Sequence, residues 1–242
     1  MDKPKPPDYE DLLRQGEYLW EWKPNADRNA PHVRLPGSGL HSDGFFRSPA
    51  DHPALTQTFS YQIRDLLIGA GISDQIDMIV GPALETSPLA TLLTLRIQEH
   101  HPHADQRVRM GLTQRVNPGT PQEDQEWATE CGTLHGREDG KPIRILVVEY
   151  AIATGDTAIK TIRTIHRYAK LVGKEVAILP FIGCIVNRLT TDELRNPEGT
   201  FKLIACFRKQ FSRWEETECP LCQAGSIALD PRTQWAKLAR TV

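Results

Sequence analysis

The chain has 242 residues, 39% apolar and 25% charged, with 29 basic against 31 acidic side chains and a net charge of -2. That composition excludes a disordered or collagen-like chain, and the balanced charge points to no nucleic-acid partner and no membrane surface. No apolar run nears the roughly 18 residues needed to cross a bilayer, and no apolar segment follows the Lys/Pro-rich start, so no signal peptide is expected; five cysteines, an odd number, fit reduced thiols in a cytoplasmic protein.

The first 60 residues are irregular and rich in Pro, Gly, Trp and Asp, with room for short strands at 18–22 and 44–47 but for no long helix. Residues 59–69 read as a helix stopped by glycine. The apolar run 76–80, ended by Gly81-Pro82, reads as a buried strand, and Ser87 with Pro88 opens a helix to about residue 100. The stretch 103–141 is polar and rich in turn residues, the pattern of a functional lid or an insert. Residues 143–148 form a second buried-strand run. A helix follows over 156–172, with Ala158, Ile162, Ile165, Ala169 and Val172 on one face; Lys160, Arg163, Arg167 and Lys170 form a basic stripe best read as solvated surface. Strands at 176–186 and 202–207 complete the alternation expected of a parallel sheet with right-handed crossovers.

The segment 143–157, IRILVVEYAIATGDT, carries the most chemistry. An apolar strand ends in Glu149, small residues follow, and Thr154-Gly155-Asp156-Thr157 opens a helix. Free amides and the positive dipole end make such a helix start suited to phosphate, and in an open α/β sheet this loop lies at the carboxyl edge where ligands bind. Read alone, it is equally an ordinary strand-to-helix turn capped by Asp156.

The segment resembles the phosphoribosyl diphosphate (PRPP) motif of type I phosphoribosyltransferases, in which an apolar strand and two acids precede a T-G-x-S/T loop. Three further segments resemble the orotate phosphoribosyltransferase branch. Residues 38–46, SGLHSDGFF, resemble its base-side segment; residues 79–90, IVGPALETSPLA, its pyrophosphate loop; and the tail 214–230, with ECPLC, a tail of some orotate-type homologues. Their order and spacing agree over roughly residues 35–230.

The resemblance implies an α/β, type I phosphoribosyltransferase-like fold: a parallel sheet flanked by helices with a small hood subdomain. The hood would take residues 1–57 and 211–242, and the PRPP-binding core residues 58–210, with a flexible lid at about 104–140. It implies transfer of ribose 5-phosphate from PRPP to a nucleobase, with Mg²⁺ held by the pyrophosphate and no direct protein ligand for it, in a cytoplasmic homodimer. Ala151, Ala153, Thr154, Gly155, Asp156 and Thr157 would hold the 5-phosphate side of PRPP, Leu84 and Glu85 the pyrophosphate, Glu149 the ribose hydroxyls, and Phe45, Phe46 and His41 the base.

Three positions depart from the family pattern. Tyr150 replaces the second acid, Glu85 stands where the orotate enzymes carry a lysine, and Pro36-Gly37 precede Ser38 in place of a basic residue. Arg107 and Arg109, alternating on an expected strand in the lid, are the expected cationic replacements in catalysis, ahead of Arg115, Arg137 and Lys141. The departures leave room for a second reading, a catalytically degenerate member of the fold that binds PRPP or a nucleotide as a regulator or sensor.

Cys219-Pro220-Leu221-Cys222 is half of a zinc site; either it pairs with two further ligands, Cys206 being the nearest cysteine, or it is a tight turn with free thiols. His100, His101 and His103 lie where side chains serve a helix end. Trp20, Trp22, Trp214 and Trp235 are expected to pack the N- and C-terminal arms together.

Overall fold

The computed structural model describes residues 8–23, 30–36, 38–82, 85–100, 107–117, 124–128, 134, 137 and 139–239. Asp8 caps a short helix, α1 (Tyr9–Gln15), by accepting the amides of Glu10 and Asp11. Strands β1 (Leu19–Glu21), β2 (His32–Arg34), β3 (His41–Ser42) and β4 (Gly44–Phe46) follow.

Helix α2 (Pro53–Gly69) starts before the expected residue 59, because Pro53 opens it and His52 Nδ1 accepts the Leu55 amide at 3.2 Å. Next come β5 (Met78–Pro82), α3 (Ser87–His100), β6 (Arg109–Val116), β7 (Asp124–Trp127), β8 (Ile143–Ile152), α4 (Asp156–Leu171), β9 (Val176–Asn187), β10 (Glu193–Asn196) and β11 (Gly199–Arg208). The tail holds β12 (Arg213–Trp214), α5 (Pro220–Gln223), β13 (Ala228–Leu229) and α6 (Pro231–Ala239).

The chain divides into two compact units, residues 1–48 with 210–242, and residues 49–209. The expected division at residue 58 falls inside α2; the observed one falls before it.

The larger unit is a seven-stranded sheet in the order β10-β11-β9-β8-β5-β6-β7. Strands β11, β9, β8, β5 and β6 are parallel, and β10 and β7 close the two edges antiparallel. Ala158, Ile162, Ile165 and Ala169 of α4 bury against Ile145, Val147, Ile182 and Cys184 on one face, as the spacing predicts. Val172, expected on that stripe, follows the last helical residue and is 38% exposed. On the other face Gly183 lets Val148 and Ile63 of α2 approach: a Cβ there would meet them at 3.2 and 3.4 Å. The basic stripe of α4 is solvated; Arg163 pairs with Glu198 and Arg167 with Asp124, both largely exposed.

The stretch expected to be a lid contributes two strands to this sheet. Residues 109–116 pair with β5 and residues 124–127 with β6. Leu134 is buried in the α4-side core, and Arg137 forms an ion pair with Asp77. Residues 103–106, 118–123, 129–133, 135–136 and 138 of the stretch lie outside the described residues, as does His101.

The smaller unit holds a four-stranded sheet, β12-β3-β2-β13, and a two-stranded one, β1-β4. Trp20 is buried and donates through Nε1 to the Leu238 carbonyl at 3.0 Å, joining the N-terminal segment to α6. Trp22 and Trp235 pack on the same cluster, so these tryptophans link the two arms.

Candidate active site

Parallel pairing fixes which residues share an end of the large sheet. Met78 of β5 is level with Arg109 of β6 and Ile145 of β8; Val80 is level with Gly111 and Val147. Carrying the β5–β8 register two residues past its last pair, Val80 with Val147, puts Glu149 at about the level of Pro82, which pairs with Thr113. Glu149 therefore lies toward the carboxyl ends of the parallel strands, next to the loop that leads into α4.

Glu149 is 7% exposed, and its Oε1 finds no hydrogen-bond partner among the described residues. Burial pushes its carboxyl up to about 8; Arg115 opposes that rise and Glu85 adds to it. Glu85 and Arg115 thus both act on Glu149 at the carboxyl edge. Tyr150, the residue that replaces the second acid, alternates to the opposite face and is buried there.

The loop after β8 has the form the sequence suggests, with a different cap. Gly155, at φ +86, is the N-cap of α4 and Asp156 is the first helical residue, with no side-chain cap bond. A Cβ on Gly155 would meet Leu194 Cδ1 at 2.4 Å, so both conformation and space require glycine. Thr154 donates from Oγ1 to Asp156 Oδ2 at 2.8 Å and accepts the Asp156 amide at 3.3 Å. Thr154 and Asp156 are exposed, and Ala151, Ala153 and Thr157 half-buried. Apart from the Asp156 amide, which Thr154 accepts, the first turn of α4 has no side-chain cap from Gly155 among the described residues, and a helix start of this kind can receive an anion.

A buried polar network ties this loop to the sheet edge. Gln125 of β7 accepts at Oε1 from the hydroxyls of Thr113 and Thr161, both at 2.7 Å, and donates from Nε2 to the Thr157 carbonyl at 3.4 Å. Its backbone carbonyl accepts from Thr164 Oγ1 at 2.9 Å and from Arg167. Sequence reasoning missed Gln125, since a lone glutamine in a polar stretch gives no signal of burial.

The expected catalytic arginines need correction. Arg109 begins β6 level with Met78, and Arg107 precedes it, so both lie at the amino ends of the parallel strands. At about 3.3 Å per residue, Arg109 is roughly 13 Å short of the level of Glu149. Arg115, six residues further along the same strand, reaches the correct end. Arg137 and Arg144 are spent at the amino end on Asp77, whose carboxyl burial would raise but whose hydrogen bonds from Arg144 and Arg137 hold it below its usual range.

Glu85 lies in the turn before α3 and is exposed; Leu84 lies outside the described residues. The base-side residues also need correction. Phe46 is a core residue of the smaller unit at 7% exposure, and half-buried Phe45 packs on Trp235 with ring centroids 6.0 Å apart. His41 is 2% exposed and lies against His32, Cys219 and Cys222, the ligand atoms of all four falling within 4.8 Å of one another. Cys206, the expected neighbour of the cysteine pair, instead lies in the larger unit against the Phe59 carbonyl.

No protein-family model matches the chain. Orotate phosphoribosyltransferase of Campylobacter jejuni subsp. doylei is 25% identical over 202 residues, 81% of this chain and 89% of that protein. Among solved structures, the chain is similar to Mycobacterium tuberculosis H37Rv orotate phosphoribosyltransferase in complex with Fe(III) dicitrate. The TM-score is 0.51 at 19% identity, covering 84% of this chain and 97% of that one. The same enzyme in complex with inorganic phosphate gives 0.50 at 18%, covering 83% and 94%. The parallel sheet with a glycine-started helix after β8 is thus the fold of the type I phosphoribosyltransferases. In sequence, the chain is similar to the orotate phosphoribosyltransferase named above at 25% identity. Among the described residues, no helix is long and apolar enough to cross a membrane.

Proposed function

We propose that this protein is a PRPP-dependent phosphoribosyltransferase that transfers ribose 5-phosphate to a nucleobase of the orotate kind and releases pyrophosphate. The observation that carries the reading is Glu149: a buried carboxyl whose Oε1 has no partner among the described residues, at the carboxyl edge of a parallel sheet, beside a glycine-started helix. A carboxylate held there has a use for a cation, and the ribosyl group becomes cationic as pyrophosphate departs. The amides of the first α4 turn and the hydroxyls of Thr154 and Thr157 would hold the 5-phosphate. Glu149 would accept the ribose hydroxyls and, once ionised, stabilise the positive sugar. Arg115 would face the pyrophosphate side.

Glu85 adds to the rise of the Glu149 carboxyl at this edge, a negative charge that Mg²⁺ carried by the pyrophosphate would offset without a direct protein ligand. When bound with PRPP, Mg²⁺ supplies neutralisation of the leaving pyrophosphate's charge; it also removes the repulsion that a carboxylate at residue 85 would otherwise exert. The reading includes a homodimer, from the family resemblance, and a cytoplasmic location, from the odd number of cysteines.

A second reading, a non-catalytic binder of PRPP or a nucleotide, is favoured by buried Tyr150 in place of the second acid and by Glu85. Pyrophosphate release from PRPP with Mg²⁺, across a panel of pyrimidine and purine bases, separates the two. Base-dependent release supports the transferase; PRPP binding by calorimetry without release on any base supports the binder; neither binding nor release defeats both.

A further inference from the structure

We propose that His32, His41, Cys219 and Cys222 form a closed four-coordinate zinc site that fastens the tail of the smaller unit to its N-terminal strands.

The topology brings the four together. β2 and β3 pair antiparallel, Arg34 opposite His41, and place His32 and His41 side by side at the centre of the four-stranded sheet. The tail adds β12 beside β3, Trp214 opposite His41, and β13 beside β2, Ala228 level with His32. Between these two strands the chain must pass from one edge of the sheet to the other. It does so through the turn that contains Cys219 and Cys222, and so carries both thiols over the two imidazoles.

The distances suit a metal at the centre. His32 Nε2 is 3.0 Å from His41 Nδ1, 3.5 Å from Cys219 Sγ and 3.6 Å from Cys222 Sγ, and His41 Nδ1 is 3.2 Å from Cys222 Sγ. Zinc binds imidazole nitrogen at about 2.0–2.1 Å and thiolate sulfur at about 2.3 Å. The edges of a tetrahedron built on those bonds run from roughly 3.3 Å between nitrogens to roughly 3.8 Å between sulfurs. The four contacts lie within a few tenths of an ångström of such edges, and with all ligand atoms within 4.8 Å of one another the cluster accepts the ion with a small adjustment.

The second shell orients one ligand. Ser226 Oγ donates to the Ala30 carbonyl at 2.6 Å. Its proton is thereby committed, so toward His32 Nδ1, 2.7 Å away, it can only accept. His32 then carries its proton on Nδ1 and turns the bare lone pair of Nε2 inward to the two sulfurs and His41. A hydrogen bond on the outer nitrogen that fixes the tautomer of the inner one is the usual support of a metal-binding histidine.

Burial and charge agree with a structural ion. His32 and Cys219 are fully buried, and His41 nearly so. Two thiolates balance a divalent ion, so two neutral imidazoles complete an uncharged site that can be buried at little electrostatic cost. Four protein ligands leave no open position for substrate or water, the mark of a structural rather than a catalytic zinc. The unit it would brace has a thin apolar cluster, Trp20, Val33, Leu35 and Leu238, and small cores commonly require such a staple.

The test is metal analysis of the full chain produced without an affinity tag. We expect one zinc per chain, and less than about a tenth of that in a Cys219→Ser/Cys222→Ser double variant. Cobalt exchanged into wild type should give the visible bands of tetrahedral cobalt with a thiolate-to-cobalt charge-transfer band; this decides the question even if the double variant fails to fold. Ser226→Ala should keep the metal but lose about 10- to 100-fold in affinity against a chelator, with Ser226→Thr restoring it. Wild-type protein that carries no zinc, binds cobalt without the charge-transfer band, or holds Cys219 and Cys222 as a disulfide overturns the site. Unchanged affinity in Ser226→Ala overturns the support assigned to His32.

Discussion

The Thr161 hydroxyl of α4 donates to Gln125 Oε1 of β7 at 2.7 Å, with both residues buried, and the same oxygen accepts Thr113 of β6. One amide thus couples an edge strand, its neighbour and the helix whose first turn forms the candidate phosphate site. Gln125→Ala is predicted to leave two buried hydroxyls without an acceptor. The expected loss is about 2–4 kcal/mol, since each orphaned buried polar group costs about 1–3 kcal/mol. Thr161→Val removes one bond and adds no cavity, so it should cost less. Urea unfolding of the variants checks this; equal stability of Gln125→Ala and wild type would falsify the network's role.

Glu149 gives a pH prediction with a definite sign. Its folded carboxyl is raised to about 8 from an ordinary value of 4.5, chiefly by burial. Between those values the folded state holds a proton that the unfolded state has released. Ligand-free stability should therefore fall as pH rises through that window, by roughly 1.4 kcal/mol per pH unit at most. Wild type minus Glu149→Gln isolates the effect, because Gln cannot ionise. A difference curve that is flat from pH 5 to 8 counts against the raised carboxyl.

The same group should govern turnover. If the ionised form stabilises the cationic sugar, kcat/KM for pyrophosphate release should climb as pH rises toward about 8. Glu149→Gln should lower the rate by roughly 10²-fold, with PRPP affinity changed less, because the interaction is made mainly in the transition state. Robust turnover in the variant would remove Glu149 from catalysis while leaving the fold untouched.

Arg115 and Arg109 make a paired test of strand direction. They lie on one strand, but only Arg115 reaches the end that holds Glu149. Arg115→Ala is expected to weaken PRPP binding or turnover by roughly tenfold or more, as loss of a charge-assisted contact implies. Arg109→Ala should leave both within about twofold of wild type. The reverse ranking, read by steady-state kinetics, would mean that the site lies at the amino edge.

Gly155 should tolerate no side chain. Gly155→Ala imposes a left-handed conformation costing about 1–2 kcal/mol and drives a methyl into Leu194. Pairing it with Leu194→Ala should relieve the clash but not the backbone strain, so phosphate affinity should recover only in part. Full recovery in the double variant would show that space alone, not the φ of +86, fixes glycine here.

Much of the core was legible because its signals are local. The β-branched run at the start of β8, the apolar spacing of α4 and the glycine at its start each report on neighbouring residues. Strands β6 and β7 were obscured: β7 is the edge of the sheet and β6 its neighbour, they carry polar residues such as Gln114 and Gln125, and they flank the turn signal at Asn117. The choice of Arg109 over Arg115 failed for a related reason. Alternation tells which face a strand residue takes, but only the register with β5 tells which end of the sheet it occupies. His32 was invisible as a metal ligand because its partners, Cys219 and Cys222, lie 187 and 190 residues away, beyond any motif spacing.

The smaller unit is discontinuous, with residues 49–209 inserted between its two parts. On the ribosome, β2 and β3 emerge early, yet the strands that cover their outer edges, β12 and β13, are made only after the whole larger unit. Until then the hairpin presents two unpaired edges, and the larger unit can finish folding first. Maturation thus has a built-in order: the larger unit can form first, and the unit carrying His32 and His41 closes only once the tail strands have been made.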